Sequence, residues 1–227
     1  MNNKNYALEI SHVEKEIENG RQKNTILKDI SFRLETGSIT AIVGKSGCGK
    51  STLLSIAGGI DAPTKGTVLL LGKDYYRLPE TDRERFRNEN VGLLFQSYHL
   101  ISELTCEENI RMPVCFSRNK NCFDEKNLDN WIKKVGLADK RFLFPAQMSG
   151  GEQQRTAILR AIVNHPKILF ADEPTGALDS GTGNQIIRFL AEYAHKSGTA
   201  ILLVTHDMDV AGQCDRIIEM ADGEIVP

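Results

Sequence analysis

The chain lacks any apolar run near the roughly 18 residues that a membrane-crossing helix requires. A helical membrane span is therefore excluded from the expectations. Its first residues, MNNKNYALEI, lack the apolar core of a signal peptide, so the expectation is a protein made and kept in the cytosol. Cysteine is scarce and unpaired: five are present and none form a CxxC pair. That argues against a disulfide framework or a zinc ribbon. Cys106, Cys115 and Cys122 lie close in sequence and are read as free thiols, metal binding being the lesser alternative. An excess of one charge is missing too, since 28 basic residues face 30 acidic ones for a net charge of −2. Nothing global then draws the chain to nucleic acid or an anionic membrane. Repeats, low-complexity tracts and linkers are also absent. What remains is 227 residues, 41% hydrophobic and 26% charged, enough for one domain with a sizeable core.

Within that length, short apolar runs alternate with helical patterns. Residues 38–43 (SITAIV), 91–95 (VGLLF), 167–170 (KILF) and 200–204 (AILLV) read as strands, and 67–71 as another. Continuous apolar runs of this kind suit strands covered on both faces. Helices are expected at 51–57, 79–88 and 186–193, and a more polar helical region from 104 to 144, with Asp124 capping 125–135. Strand–helix alternation implies a parallel sheet of the α/β class. The first 37 residues differ. Residues 8–13 and 25–34 fit an antiparallel ribbon with a polar tip at 18–24.

Residues 44–52 read GKSGCGKST, which contains the full G-x-x-x-x-G-K-S pattern between a strand and a helix. Backbone N–H groups of Gly47, Cys48, Gly49 and Lys50 are expected to cradle phosphate oxygens. Lys50 reaches the β- and γ-phosphates, and Ser51 is a ligand for Mg²⁺. Gly44, Lys45, Ser46 and Thr52 complete the loop, and Cys48 is read as a tolerated filler. Residues 168–173 read ILFADE, a hydrophobic strand ending in an acid pair. Alone this is a pair of solvated acids. Beside a phosphate loop, Asp172 is expected to hold Mg²⁺ through its water shell and Glu173 to polarise the attacking water.

Three further polar residues follow apolar segments: Gln96 after VGLLF, His206 after ILLVT, and Asp179 after GAL. Each alone is an ordinary loop residue. Together they fall on the rim of one sheet, at the strands' carboxyl ends where open α/β folds bind ligands. A neutral His206 would contact a γ-phosphate and hold the water and Glu173 in line. Gln96 would reach the Mg²⁺ or the water. A last segment, MSGGEQQRTAILRA at 148–161, opens a helix on two adjacent glycines. Ser149 and Glu152 have capping-box spacing. The bare helix start of Ser149, Gly150 and Gly151 suits an anion, although the glycines alone also mark a tight turn.

The set GKSGCGKS, FQ at 95–96, MSGGE at 148–152, ILFADE, GALD at 176–179 and TH at 205–206, in that order, resembles the nucleotide-binding subunit of ATP-binding-cassette transporters. The resemblance covers the whole chain, 1–227. GTVLLLGKDYYRL, RNENVGLLFQSYHLISELTCEENIRMP and TGALDSGTG look like the group of lipoprotein-release, macrolide-export and antimicrobial-peptide-resistance ATPases. It implies a P-loop NTPase fold of the cassette type: a parallel-sheet core, an N-terminal antiparallel β-ribbon, and a helical subdomain over about 97–163 carrying the signature motif. It implies ATP and Mg²⁺, and a head-to-tail dimer of two copies. In that dimer Ser149, Gly150, Gly151, Glu152 and Asp179 contact the partner's ATP. It also implies integral membrane permease subunits and a place on the inner face of the cell membrane through them, with no nucleic-acid partner. Tyr98, Leu100, Ile101 and the region 104–144 are the expected docking surface, although most of these apolar residues serve equally as subdomain core.

Two departures from the family pattern matter. Met148 and Glu152 stand where Leu and Gln are usual. The first conserves volume, whereas the second adds charge beside a phosphate site, softened if Glu152 folds back onto Ser149. Ile17 occupies, by spacing, the position of an aromatic residue that stacks on adenine. The alternative function is a non-transport cassette ATPase acting on DNA or ribosomes, but the chain has neither a coiled-coil insertion nor a second cassette. A small-molecule P-loop kinase would not need MSGGE or the acid pair.

Overall fold

The computed structural model describes residues 5–19, 22–117 and 123–226. Two sheets organise it. One holds six strands in the order β10-β9-β3-β8-β7-β6. They are β3 (Ile39–Val43), β6 (Val91–Leu94), β7 (Ile168–Asp172), β8 (Ala200–Val204), β9 (Arg216–Ala221) and β10 (Glu224–Ile225). Only the β9–β10 pairing is antiparallel.

All five residues of β3 and of β8 are buried. Successive side chains of a strand point to opposite faces. Ile39, Ala41, Leu169, Ala171, Ile201 and Leu203 therefore join one core layer, and Ile42, Ile168, Phe170, Leu202 and Val204 join the other. This two-sided burial is why these strands read as unbroken apolar runs.

The ribbon is longer than the sequence suggested. β1 (Tyr6–Asn19) and β2 (Gln22–Glu35) pair antiparallel up to Asn19 opposite Gln22. The expected polar tip at 18–24 is thus mostly paired strand, and residues 20–21 lie outside the described residues. Backbone hydrogen bonds hold a ribbon whether or not its side chains are apolar. The strand expected at 67–71 is β4 (Lys65–Leu70), and it pairs with β1, not with the parallel sheet. With β5 (Lys73–Asp74) it completes a four-stranded antiparallel sheet. Leu8, Ile10, Leu34, Val68 and Leu70 face the second core layer, together with Leu53 and Ile56 of α1 (Lys50–Ala57).

α2 (Glu80–Asn90) precedes β6. The helical region expected over 104–144 resolves into α3 (Cys106–Phe116) and α4 (Glu125–Lys134), and the helix expected in the segment 148–161 is α5 (Gly150–Ile162). Asp124 caps α4 as expected, its side chain accepting from the Lys126 N–H. Cys106, Ile110, Leu128, Ile132 and Ile158 share the first core layer with β7 and β8. α6 (Ser180–Ser197) is longer than the apolar pattern at 186–193 marked, because polar turns flank its buried stripe. α7 (Met208–Ala211), β9 and β10 were not anticipated. Cys48, Cys106, Cys115 and Cys214 are free thiols, while Cys122 lies outside the described residues.

Candidate active site

β6, β7, β8 and β3 are neighbours in the parallel sheet, so the loops at their carboxyl ends converge on one rim. The phosphate loop follows β3, the acid pair closes β7, His206 follows β8, and Gln96 follows β6. A cavity of 430 Å³ joins them. Ser46, Gly47, Gly49, Lys50, Ser51 and Thr52 line it, facing Gln96, Asp172, Glu173 and His206. Gly44, Lys45 and Cys48 belong to the loop but not to the cavity wall. The Cys48 N–H, expected to point inward, instead donates to the Lys45 carbonyl at 3.3 Å and closes the loop on itself.

Only glycine fits the loop's entry. Gly44 has φ +155°, and a Cβ there would sit 2.2 Å from the Met220 carbonyl oxygen on β9. Gly49, with φ +102°, caps α1 in the left-handed region. Lys50 opens that helix and is only 8% exposed. Its ammonium donates to the Gly44 and Lys45 carbonyls at 2.8 and 2.9 Å. An incoming phosphate would take over those donors. At such a helix start the free N–H groups and the dipole also favour an anion.

Asp172 is half-buried, and burial pushes its carboxyl above the ordinary range, partly offset by a hydrogen bond with Ser51. Glu173 has an uncommon left-handed backbone, φ +48°. Its N–H donates to the Val204 carbonyl at 2.9 Å, which ties the turn to β8. Its carboxylate accepts from the His206 N–H at 3.1 Å and from the Thr205 hydroxyl at 3.2 Å, with His206 Nδ1 2.7 Å away. That hydrogen bond and the Glu173 charge raise the His206 pKa above its ordinary value. The His206 ring is otherwise open, its side chain 76% exposed, so it can swing toward a bound group.

The remaining candidates form a second group outside the cavity. Ser149 caps α5: its hydroxyl accepts from the Glu152 N–H at 3.3 Å, and Glu152 Oε2 accepts from the Ser149 N–H at 2.7 Å. Glu152 therefore folds back as the capping partner. That backbone bond holds its carboxyl below the usual range, with Lys140 3.7 Å from its other oxygen. Gly150 and Gly151 start the helix against the turn after the acid pair, where Ala177 and Leu178 are the nearest side chains on that turn. Asp179 caps α6 by accepting from the Thr182 N–H at 2.9 Å. Ile17 is exposed at 44% on the ribbon, opposite Asn24.

Sequence reasoning missed several contributors. Ile26 lines the cavity from a register shift in the ribbon, where Lys15 faces Leu27 and Glu16 faces Thr25. A shift of pairing has no local signature. Val204 lines the cavity too. Thr205, fully buried, anchors Glu173, and the quoted TH pair was the only hint of it.

Known proteins share the sequence and fold that carry this site. The profile of the ABC transporter family matches residues 27–176. The lipoprotein-releasing system ATP-binding protein LolD of Shewanella frigidimarina is 42% identical over 219 residues, covering 95% of this chain and 90% of that protein. The macrolide export ATP-binding/permease protein MacB of a Shewanella strain is 41% identical over 96% of this chain, which spans 34% of that longer protein. Among solved structures, a dimeric bacterial ABC transporter cassette is 35% identical with a TM-score of 0.88, covering 97% of both chains. An ATP-binding cassette dimer in a post-hydrolysis state bound to ADP and Pi is 34% identical with a TM-score of 0.87, again covering 97% of both chains. A phosphate loop and acid pair facing one cavity, within this shared sequence and fold, make the chain a member of the ABC transporter family, an ATP-binding and ATP-hydrolysing cassette of the LolD and MacB type.

Proposed function

We propose that this cassette spends ATP to drive a separate membrane subunit, in export, extraction or mechanical signalling, and that two copies close head to tail over two ATP molecules. The observation that carries the reading is the split of the motifs. The phosphate loop, acid pair, Gln96 and His206 share one cavity, whereas Ser149, Gly150, Gly151, Glu152 and Asp179 lie outside it. A bare, capped helix start that does not serve its own cavity is free to meet the phosphate held by another copy. Its Glu152 charge is turned into the cap, so it offsets less of that attraction. The chain acts as one domain, with 97–163 as the helical subdomain that presents this segment.

In this reading the Gly47 and Gly49 backbone and Lys50 hold the β- and γ-phosphates. Ser51, Asp172 and Gln96 present hard oxygen donors to one cavity, with Ser51 and Asp172 hydrogen-bonded to each other, a set that fits Mg²⁺. Held by these residues, Mg²⁺ would supply neutralisation of charge on the phosphate oxygens. Glu173 orients the attacking water and takes its proton as the new P–O bond forms and the bond to ADP breaks. His206 holds Glu173 in place and faces the γ-phosphate. Loss of that phosphate removes the contacts that hold the two copies together.

Among the described residues, no helix is long and apolar enough to cross a membrane. The membrane part is proposed to lie outside these residues: one relative is named as the ATP-binding protein of a lipoprotein-releasing system, and another, a macrolide export protein, is named as ATP-binding and permease in one longer chain. Ile101 is exposed for docking, whereas Tyr98 and Leu100 pack against the core. The cassette would sit on the inner face of the cell membrane through that partner. A pull-down from solubilised membranes tests this. An integral membrane protein recovered with the chain is the expected result, while ribosomes or nucleic acid alone would support the non-transport alternative.

Ile17 is proposed to lie against the adenine. It shares the ribbon with Ile26, which lines the cavity. An aromatic ring on a base is worth about 1–3 kcal/mol in single-strand binding proteins. An isoleucine shields the base from water but offers no π-face, so affinity should be modest and base selectivity weak. Ile17→Tyr is expected to tighten binding of both ATP and GTP. Unchanged titrations for both nucleotides would mean that Ile17 does not touch the base.

A further inference from the structure

The turn that carries Glu173 is held from behind by a residue of the signature helix. Gln154 sits one turn into α5 and is only 2% exposed. Its amide uses both ends. Nε2 donates to the Glu173 carbonyl at 2.9 Å, and Oε1 accepts from the Ala177 N–H at 3.0 Å. Both groups lie in the single turn between the acid pair and Asp179. The turn also has bonds of its own, Gly176 N–H to the Glu173 carbonyl at 3.2 Å and Leu178 N–H to the Thr175 carbonyl at 3.0 Å, and the Glu173 N–H ties its start to β8. A neutral amide alone among side chains of this length donates and accepts at once without charge. Leucine or methionine fills the space and makes neither bond.

Two further observations give the clamp a direction. Glu173 adopts its left-handed backbone at the point where the clamp grips it, and a backbone of this kind persists only where its surroundings over-determine it. On the other side, the turn packs against the start of α5: a Cβ on Gly151 would lie 3.0 Å from Leu178 Cδ2 and 3.4 Å from the Ala177 carbonyl oxygen. The same short turn therefore touches the residue that acts on water and the helix start that meets a partner's phosphate.

From this geometry we infer that Gln154 is a positioning residue for hydrolysis, which aims Glu173 and ties it to the signature segment of its own chain. The inference rests on the role proposed above for Glu173. It makes the two ATP sites of a dimer mechanically linked through each chain: a shift of the Glu173 turn when the γ-phosphate leaves is passed by the Gln154 amide to the helix start over the other nucleotide.

Gln154→Met tests it, with Gln154→Leu as a second shape-preserving variant. A misplacement of a reacting group by about 1 Å costs on the order of 100-fold. Steady-state turnover is accordingly expected to fall about 10–100-fold, while ATP affinity of the monomer stays near that of the unaltered chain. The discriminating readout is single-turnover hydrolysis in a Glu173→Gln background. Because Gln154 acts through Glu173, Gln154→Met should there change the residual rate by less than about twofold. Unchanged turnover in the single variants would overturn the inference. So would a full, additive loss in the Glu173→Gln background, or both variants losing ATP affinity together with turnover, which is the mark of a packing role. Glu173→Gln measured alone reports separately on the role of Glu173.

Discussion

Glu173→Gln is expected to bind ATP normally, to lose steady turnover, and to elute as an ATP-bound dimer in gel filtration with ATP and Mg²⁺. The substitution fits the site. Glu173 Oε1 can still accept from the His206 N–H, and the new amide can face the Thr205 hydroxyl, so the turn should keep its shape. Nucleotide binding rests on other groups, Lys50 and the loop backbone. What is lost is the carboxylate proposed to take a proton from water, and removal of such a group costs about 10²–10⁴ in rate. The nucleotide then stays intact between two copies. Near-normal turnover, or a monomer in the presence of ATP, would sink the assignment.

Gly44→Ala is the second large effect, and it acts on the fold. Any side chain at Gly44 meets the Met220 carbonyl at 2.2 Å and Cys48 Sγ at 2.9 Å. The first neighbour is backbone of β9, paired to β3 along the sheet, and cannot swing away. The loop or the strand must shift, at a backbone angle that side chains rarely adopt. Overpacking of this kind costs on the order of 3 kcal/mol, which for a domain of this size lowers the melting temperature by roughly 6–12 °C. ATP binding should weaken as well, because the displaced loop carries Lys50. A variant that melts within about 2 °C of the unaltered chain would show that the loop entry yields more readily than its contacts imply.

Much of the candidate site was legible because its parts are local. GKSGCGKST needs only a strand before it and a helix after it, and both are there. ILFADE is a strand with acids at its end. Ser149 with Glu152, and Asp124 before α4, are caps whose partners lie within three residues. The split of roles proposed for Asp172 and Glu173 rests on their order in the chain. The lower legibility of the ribbon has a physical cause as well: β1 and β2 run through polar residues because backbone bonds, not apolar burial, hold their outer ends.

By itself, then, the sequence determined the cassette class, the buried strands β3, β7 and β8, and the identity of the phosphate loop, acid pair and signature segment. Spacing and apolar runs, which act over a few residues, marked the strands, the phosphate loop and the acid pair, while the cassette class and the signature segment came from the resemblance of the whole motif set. Tertiary structure decided the rest. Pairing β4 with β1 instead of with the parallel sheet, and inserting β9 beside β3, depend on contacts between residues far apart in the chain, which leave no periodic trace. Sheet order alone brings Gln96, Asp172, Glu173 and His206 to the cavity of Lys50 and leaves Ser149 outside it. The grip of Gln154 on Glu173 across 19 positions, and of Thr205 across 32, exists only once β7, β8 and α5 have packed.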